Sequence, residues 1–288
     1  MAEETAKQQV LVPYDFSEAS ENALIYGIEL ARLFKCEVSI IHAISKKHIE
    51  KNISPEDSAA AAKAGLVTLS NNIISKHHLM VNVYVFQGEM HDLINKFYEK
   101  INAIAVIAGL NSAKKKTHYF TSGKLVTDYR NLRVPLIVVH DDMPRKTMYS
   151  HIILPLDFNR ESKEKSAWAG HISTLNKSKV RILIRAYKDA YFAASLRNNI
   201  VLVKKLYKNL EVNYDIVKEP DITVDIDKYA VEYAWLNNAD LLVIMATKDI
   251  AVDDLLLGLK EKKIIDNKYK LPVMLINPRD DLYLPCGC

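Results

Sequence analysis

The sequence predicts an α/β fold that is built twice, as two tandem doubly wound parallel five-stranded sheets. The first observation is an echo: LVPYDFSEAS at residues 11–20 returns as ILPLDFNRES at 153–162, so that Asp157 follows Asp15 by 142 positions (157 − 15). The second is that continuously apolar runs alternate with helical patterns in the same order in both halves. Parallel strands need helical crossovers on both sheet faces, and this explains the continuous apolar runs.

The first half contains five predicted strands separated by predicted helices. Ser17 is the expected N-cap of the first helix, and Pro55 opens a long second helix. The second half repeats the order, beginning with a helix from Asn159. The predicted strands of the first half are, in order, QQVLVPY, CEVSIIHA, MVNVYVFQG, AIAVIAG and RVPLIVVH, and those of the second are HIILPLD, KVRILIRA, EVNYDIVK, DLLVIMA and KLPVMLIN.

The offset between the halves stays nearly constant along the chain. Pro135 and Pro272, which precede the last strand of each half, are 137 positions apart (272 − 135). Recurrence of a whole order of elements at one offset indicates duplication. The predicted domains are residues 1–143 and 149–288, with the charged stretch DDMPRKTMYS between them.

Composition excludes several classes of function. The net charge of +4 arises from 39 basic and 35 acidic residues, a balance too mild to favour nucleic acid as a partner. No run approaches the roughly 20 apolar residues of a membrane span, and the N-terminus lacks the pattern of a secretory signal. With three cysteines there is no disulfide framework. These features predict a cytoplasmic protein without a membrane partner.

The strand that runs into VPYDFSEAS, the strand ending in IIHAI, the strand ending in AGLNS and the final VPLIVVH together resemble the universal stress protein family in its tandem form. The resemblance implies the strand order 3-2-1-4-5 in each half. It also implies an internal pseudo-dimer in which the two halves pack through the last strands, and a homodimer or an unknown protein as a further partner.

The resemblance further implies a phosphate-binding loop after the fourth strand. In ATP-binding members of that family, the loop has the pattern Gly, two residues, Gly, nine residues, and then Gly followed by Ser or Thr. The Asp after the first strand contacts adenosine, while the nearby Pro and the residue after the His of the second strand line the base. The first-half residues implied for ATP or ADP are Pro13, Asp15, Ala43, Gly109, Ser112, Ser122, Gly123 and Lys124.

The loops depart from the family pattern. In the first half Ser112 replaces a glycine and Gly-Ser has become Ser-Gly, with Ser122 expected to cap the following helix. In the second half Asp249 falls inside the loop, where its charge opposes phosphate. The second-half equivalents are Pro155, Asp157, Ala186, Ala246 and Gly258. We therefore expect any nucleotide site in the first half, and a packing role for Asp157.

The function predicted from these residues is a stress-response binding or signalling protein with a degenerate nucleotide-type crevice. No nucleophile, base or metal set is assembled, so efficient catalysis is not expected. One alternative is an ATP or ADP switch in the first half with slow ATP hydrolysis. Another is a redox or metal sensor, because Cys286 and Cys288 flank a single glycine and provide two adjacent thiols.

Overall fold

The computed structural model describes residues 7–45, 54–112, 119–142, 148–219, 225–247 and 260–278. The chain divides into two compact units whose boundary falls between Asp142 and Met143. We refer to them as the first unit and the second unit.

The first unit alternates strands and helices from its start to its end. Its elements are β1 (Gln9–Pro13), α1 (Glu18–Phe34), β2 (Glu37–Ile44), α2 (Pro55–His77), β3 (Val81–Gln87), α3 (Met90–Phe97), β4 (Ala103–Leu110), α4 (Ser122–Asp128) and β5 (Leu136–His140).

The second unit repeats that alternation with one added turn. Its elements are β6 (His151–Pro155), a 3₁₀ turn (Arg160–Lys163), α5 (Glu164–Asn176), β7 (Lys179–Arg185), α6 (Ala190–Asn209), β8 (Asn213–Glu219), α7 (Ile226–Leu236), β9 (Leu241–Met245), α8 (Lys260–Ile265) and β10 (Val273–Ile276).

Both units have the predicted strand order, and every strand pair within them is parallel. In the first unit the ladder runs β3-β2-β1-β4-β5. In the second it runs β8-β7-β6-β9-β10. The predicted doubly wound class and the 3-2-1-4-5 order are therefore confirmed. In such sheets the two central strands leave a crevice at their carboxyl ends.

The helix ends follow from local chemistry. Ser17 caps α1 by accepting a hydrogen bond from the backbone N–H of Ser20, and Ser54 caps α2 in the same way through Asp57, with Pro55 at the first helical position. The predicted helix from Asn159 differs from the structure. Asn159 begins a 3₁₀ turn without a side-chain cap, and α5 starts only at Glu164.

The central strands form the core of the first unit. All eight residues of β4 are buried, as its continuous apolar run predicts. Each fully buried Val, Leu or Ile contributes roughly 1.5–3 kcal/mol relative to an exposed one. Cys36, which the sequence indicates is a small buried apolar side chain, is 7% exposed. This packing holds the strand ends in fixed positions beside the crevice.

Candidate functional site

Asp15 lies directly after β1, at the crevice of the first unit. One of its carboxylate oxygens, Oδ1, accepts hydrogen bonds from the backbone N–H of Ser17, at 3.1 Å, and from the Ser17 hydroxyl. Oδ2 accepts from the backbone N–H of Tyr119 at 3.2 Å. Between them, Phe16 adopts left-handed backbone with a φ of 61°, a conformation that bulky residues rarely take. The carboxylate that the resemblance assigned to adenosine is thus bonded within the chain.

Tyr119 reaches across the crevice to the end of β2. Its hydroxyl oxygen accepts from the backbone N–H of Ala43 at 2.9 Å and donates to the Ala43 carbonyl at 3.1 Å. The neighbouring strand β1 ends at the buried Pro13 and does not reach Ala43. The Tyr119 hydroxyl therefore bonds to the backbone of Ala43 on the side where a strand would otherwise pair. Burial, to which the charge of Asp15 adds, raises the pKa of Tyr119. Tyr119 is therefore a neutral phenol at physiological pH.

His42 completes this arrangement from β2. Its Nδ1 lies 2.7 Å from the backbone oxygen of Tyr14, which can only accept, so Nδ1 carries a proton. The Tyr119 hydroxyl lies 2.9 Å from the same nitrogen, and the Phe16 ring packs edge-on against the imidazole at 5.2 Å. These contacts make His42 a packed, hydrogen-bonded residue.

Gly109 has a packing role within β4. A Cβ atom at this position would lie 2.3 Å from the backbone carbon and oxygen of Ala19 and 2.7 Å from the nitrogen of Ser20. The absence of a side chain therefore lets the first turn of α1 approach β4. Gly123 is different, since an added Cβ there meets nothing within 4 Å.

Ser112 is bound to the end of β5. Its backbone N–H donates to Asp141 Oδ2 at 2.8 Å, and its hydroxyl donates to Oδ1 at 2.7 Å. Partial burial opposes ionisation of Asp141, but the bonds from Ser112 outweigh it and hold the pKa of Asp141 below its usual value. Asn22 of α1 donates to the carbonyls of His140 and Asp141. Ser112 thus faces a carboxylate within the unit.

The start of α4 differs from the prediction by one residue. The N-cap is Thr121, whose hydroxyl accepts from the backbone N–H of Lys124 at 3.4 Å, and Ser122 is the buried first residue of the helix. The side chain of Lys124 is exposed to solvent. Capping by Thr121 satisfies one of the N–H groups that a phosphate would otherwise bind.

Asp157, after β6, is bonded to its own neighbours. Both carboxylate oxygens accept from Asn159, one from the backbone N–H at 2.9 Å and one from the side-chain amide at 2.9 Å. The backbone N–H of Asp157 donates to the Ser162 hydroxyl, and Asn199 of α6 donates to the carbonyls of Asp157 and Asn159. The geometry is that of a side-chain-stabilised turn. It fits the packing role expected from the sequence.

The ladder register corrects two second-unit equivalences, the first of them at the fourth strand. Val10 pairs with Ala105 in the first unit, and its counterpart Ile152 pairs with Leu241 in the second, so the offset is 136 at the fourth strand (241 − 105). The counterpart of Gly109 is therefore Met245, and not Ala246 as counted from the sequence. The fifth strands agree independently, because Gly109 pairs with Val139 and Met245 pairs with Ile276. Val139 and Ile276 are themselves counterparts, separated by the same 137 positions (276 − 139) as Pro135 and Pro272.

The remaining second-unit predictions fall at varied positions. Pro155 ends β6 and is buried. Gln9 pairs with Glu37 and His151 pairs with Lys179, so the offset at the second strand is 142 (179 − 37). The counterpart of the buried Ala43 is therefore Arg185, and not Ala186 as counted from the sequence; Ala186 is exposed. Gly258, Cys286 and Cys288 lie outside the described residues.

A cavity of about 330 Å³ opens at the carboxyl ends of β6 and β9. Its walls come from the 3₁₀ turn, from the residues after the two strands, and from α5, α7 and α8; they are formed by Asp157, Asn159, Glu161, Ser162, Lys165, Asp227, Met245, Ala246, Thr247, Lys260 and Pro278. In the first unit Gly109 admits an α-helical turn against β4. In the second, Met245 stands at that position and the facing segment is a 3₁₀ turn, which leaves the space open.

An ion-pair group forms one wall of this cavity. Lys260 Nζ lies 2.5 Å from Asp227 Oδ2 and 3.0 Å from Asp225 Oδ2, and Lys165 Nζ lies 3.6 Å from Asp227 Oδ1. The side chains of Lys165 and Asp227 are only 2% and 5% exposed. Burial of Asp227 opposes ionisation, but the two lysines outweigh it and lower its pKa. Burial likewise opposes the charge of Lys260, and Asp227 and Asp225 raise its pKa.

The described residues contain no group of three or more His, Cys, Asp or Glu that could hold a metal ion. Within the same ranges, no helix combines the length and the apolar character needed to cross a membrane.

No sequence motif predicts Tyr119, Lys165, Asp227 or Lys260 as site residues. Tyr119 sits within THYF, beside a basic run, and only this aromatic pair distinguishes it in the sequence. The other three converge from different helices, with 62 positions between Lys165 and Asp227 (227 − 165) and 33 between Asp227 and Lys260 (260 − 227). No local pattern connects residues at those separations.

Residues 7–120 match the model of the universal stress protein family. Comparison with curated proteins gave no match. Among solved structures, a universal stress protein from Archaeoglobus fulgidus DSM 4304 is 15% identical with a TM-score of 0.72, covering 93% of this chain and 98% of that one. A candidate universal stress protein from Pseudomonas aeruginosa UCBPP-PA14 is 13% identical with a TM-score of 0.61, covering 95% and 94%.

A protein of unknown function from Pseudomonas aeruginosa PAO1 is also similar, with 12% identity, a TM-score of 0.60, and 95% and 93% of the two chains covered. At such identities these structures show only the fold, over 93–95% of the chain, while the family model matches residues 7–120.

Proposed function

Because this chain carries a domain of the universal stress protein family in its first half, we propose that it is a stress-response binding protein whose first crevice is closed to nucleotides by Tyr119. It acts by binding or signalling and without efficient catalysis. The observation that carries the proposal is the set of bonds by which Tyr119 engages both Asp15 and Ala43.

The closure follows from competition for the same atoms. A nucleotide bound as the resemblance implies needs the carboxylate of Asp15 and the surface of Ala43, and both already contact Tyr119. Displacing Tyr119 would remove a buried hydroxyl from two backbone partners, and each neutral hydrogen bond of this kind contributes about 0.5–1.5 kcal/mol. Binding of ATP must therefore first overcome these contacts, which lowers its apparent affinity.

Within the described residues, the groups of the crevice that could serve a phosphate are already engaged. Ser112 is bonded to the carboxylate of Asp141, and Thr121 caps α4. Gly109 is occupied in packing against α1. In the same ranges Asp15 accepts hydrogen bonds from Ser17 and Tyr119, which fits a role in binding.

Calorimetric titration of the full chain with magnesium ATP tests this proposal. We expect no binding heat at millimolar nucleotide for the wild type, and measurable binding for Tyr119→Ala. The matched control is the double variant Tyr119→Ala/Asp15→Ala, in which we expect binding to disappear. Wild-type binding that is lost in Asp15→Ala would overturn the proposal and support the alternative below.

The alternative function is an ATP or ADP switch in the first unit, with slow ATP hydrolysis. One observation favours it: among the described residues, Tyr119 is the one that bridges Asp15 and Ala43, so its movement would remove both contacts. In that case the wild type binds ATP in competition with Tyr119, and Tyr119→Ala should bind ATP more tightly than the wild type does.

We also propose a cytoplasmic location and redox or metal sensing by Cys286 and Cys288. The two halves pack through their last strands in this proposal, with a homodimer or an unknown protein as a further partner. Thiol counting before and after mild oxidation tests the sensor, because a chain truncated after Pro285 should then lose the response.

A further inference from the structure

The cavity of the second unit contains a lysine ammonium group with no hydrogen-bond acceptor among the described residues. Lys165 is 2% exposed, and its ion pair to Asp227 spans 3.6 Å, which is too long for a hydrogen bond. An ammonium group has three N–H donors, and burying a charged group whose donors are unpaired is costly. The side chain lines the cavity, so a ligand in the cavity can satisfy these donors.

Three polar side chains of the cavity have unused donors. Lys260 uses two of its three donors on Asp227 and Asp225. The Ser162 hydroxyl accepts from the backbone N–H of Asp157, and among the described residues its own proton has no acceptor. The cavity also contains carboxylates: Asp157 is bonded to Asn159, Glu161 lies in the wall, and the buried Oδ1 of Asp227 is unpaired. The unused donors of Lys165, Lys260 and Ser162 fit a ligand that brings acceptor atoms and little negative charge.

We propose that this cavity binds a small oxyanion, a carboxylate or phosphate group of a small molecule, between Lys165 and Lys260. The two ammonium groups bridge the anion, and the Ser162 hydroxyl donates a further hydrogen bond. Charge-assisted bonds of this type are about twice as strong as neutral ones. The apolar atoms of Met245, Ala246 and Pro278 contact the rest of the ligand.

Charge and size both select against a nucleotide triphosphate here. Asp157 and Glu161 also line the cavity, and Asp227 already balances one of the two lysines. A highly charged ligand therefore meets repulsion from the same walls. The volume of about 330 Å³ is at the low end of the range for small-molecule sites. The proposal does not depend on Tyr119, because its residues all belong to the second unit.

The test is calorimetry and thermal unfolding of the full chain with three probes: inorganic phosphate, malonate and magnesium ATP. We expect phosphate or malonate to bind with one site per chain and to raise the unfolding temperature with concentration. Lys165→Met and Lys260→Met should each weaken binding about tenfold or more, since truncating one partner of a buried charge pair has at least this effect.

Lys262→Met is the matched control, because Lys262 lies on the same helix α8, is exposed and does not line the cavity. It should bind the probe as the wild type does. Lys260 is 27% exposed, so Lys260→Met carries the test if Lys165→Met does not fold. Absence of binding by both small anions would overturn the proposal, as would equal weakening in Lys262→Met or tighter binding of ATP that Lys165→Met abolishes.

Discussion

Replacement of Gly109 by alanine tests whether this glycine serves packing or a ligand. The added Cβ would lie 2.3 Å from backbone atoms of Ala19, whereas ordinary contacts begin at 3.4 Å. Helix α1 would therefore have to retreat by about 1.1 Å (3.4 − 2.3). Overpacking of this kind costs about 3 kcal/mol, and removing a strand glycine returns at most about 1 kcal/mol, so we expect a net loss of about 2 kcal/mol.

Urea unfolding followed by far-ultraviolet circular dichroism measures this loss. With a slope of about 2 kcal/mol/M, the midpoint of the affected transition should fall by about 1 M. Both tryptophans, Trp168 and Trp235, lie in the second unit, so their fluorescence follows the other unit in the same samples. Gly123→Ala is the control, because a Cβ added there meets nothing within 4 Å, and its urea midpoint should not fall. A Gly109→Ala midpoint within about 0.3 M of the wild type would refute the packing argument.

Two further predictions concern buried ionisable groups. Burial, with a smaller effect from Glu37, raises the pKa of Cys36 to about 12. In a chain with both C-terminal cysteines changed to serine, Cys36 should therefore alkylate about a thousandfold more slowly at pH 8 in the native protein than in the urea-unfolded protein. Rapid labelling of the native protein would contradict this. The lowered pKa of Asp227 contributes stability above its unfolded value of about 3.9, which is lost as pH falls through the folded pKa. Urea midpoints measured from pH 6 to about pH 2 should therefore fall more steeply for the wild type than for Asp227→Asn, and parallel profiles would show that Asp227 is not responsible.

The sequence predicts the fold well because each element has a local cause. The apolar run of β4 is fully buried, Ser17 caps α1, and Pro55 begins α2. The helix expected from Asn159 is wrong at its start, because residues 160–163 form a 3₁₀ turn, and Met245 stands where Gly109 stands in the first unit. Sequence spacing alone cannot show which side chain faces another strand.

The candidate sites are less accessible to sequence reasoning. Asp15 and Gly109 lie at the predicted crevice, but their partners are Tyr119 and the backbone of Ala19. The surroundings of Lys165 depend on helices brought together by folding. A motif identifies a residue in the chain, whereas the atoms that bond to it or pack against it come from distant segments.

The close approach of Ala19 to Gly109 bears on how a glycine at the end of a fourth strand is interpreted. The contact with the helix requires a glycine here whether or not a ligand binds beside it. Glycine at this place is therefore a poor marker of nucleotide binding by itself. Where Met245 stands at the corresponding position, the facing segment is a 3₁₀ turn and a cavity lies beside both, so two units of one topology present differently shaped crevices.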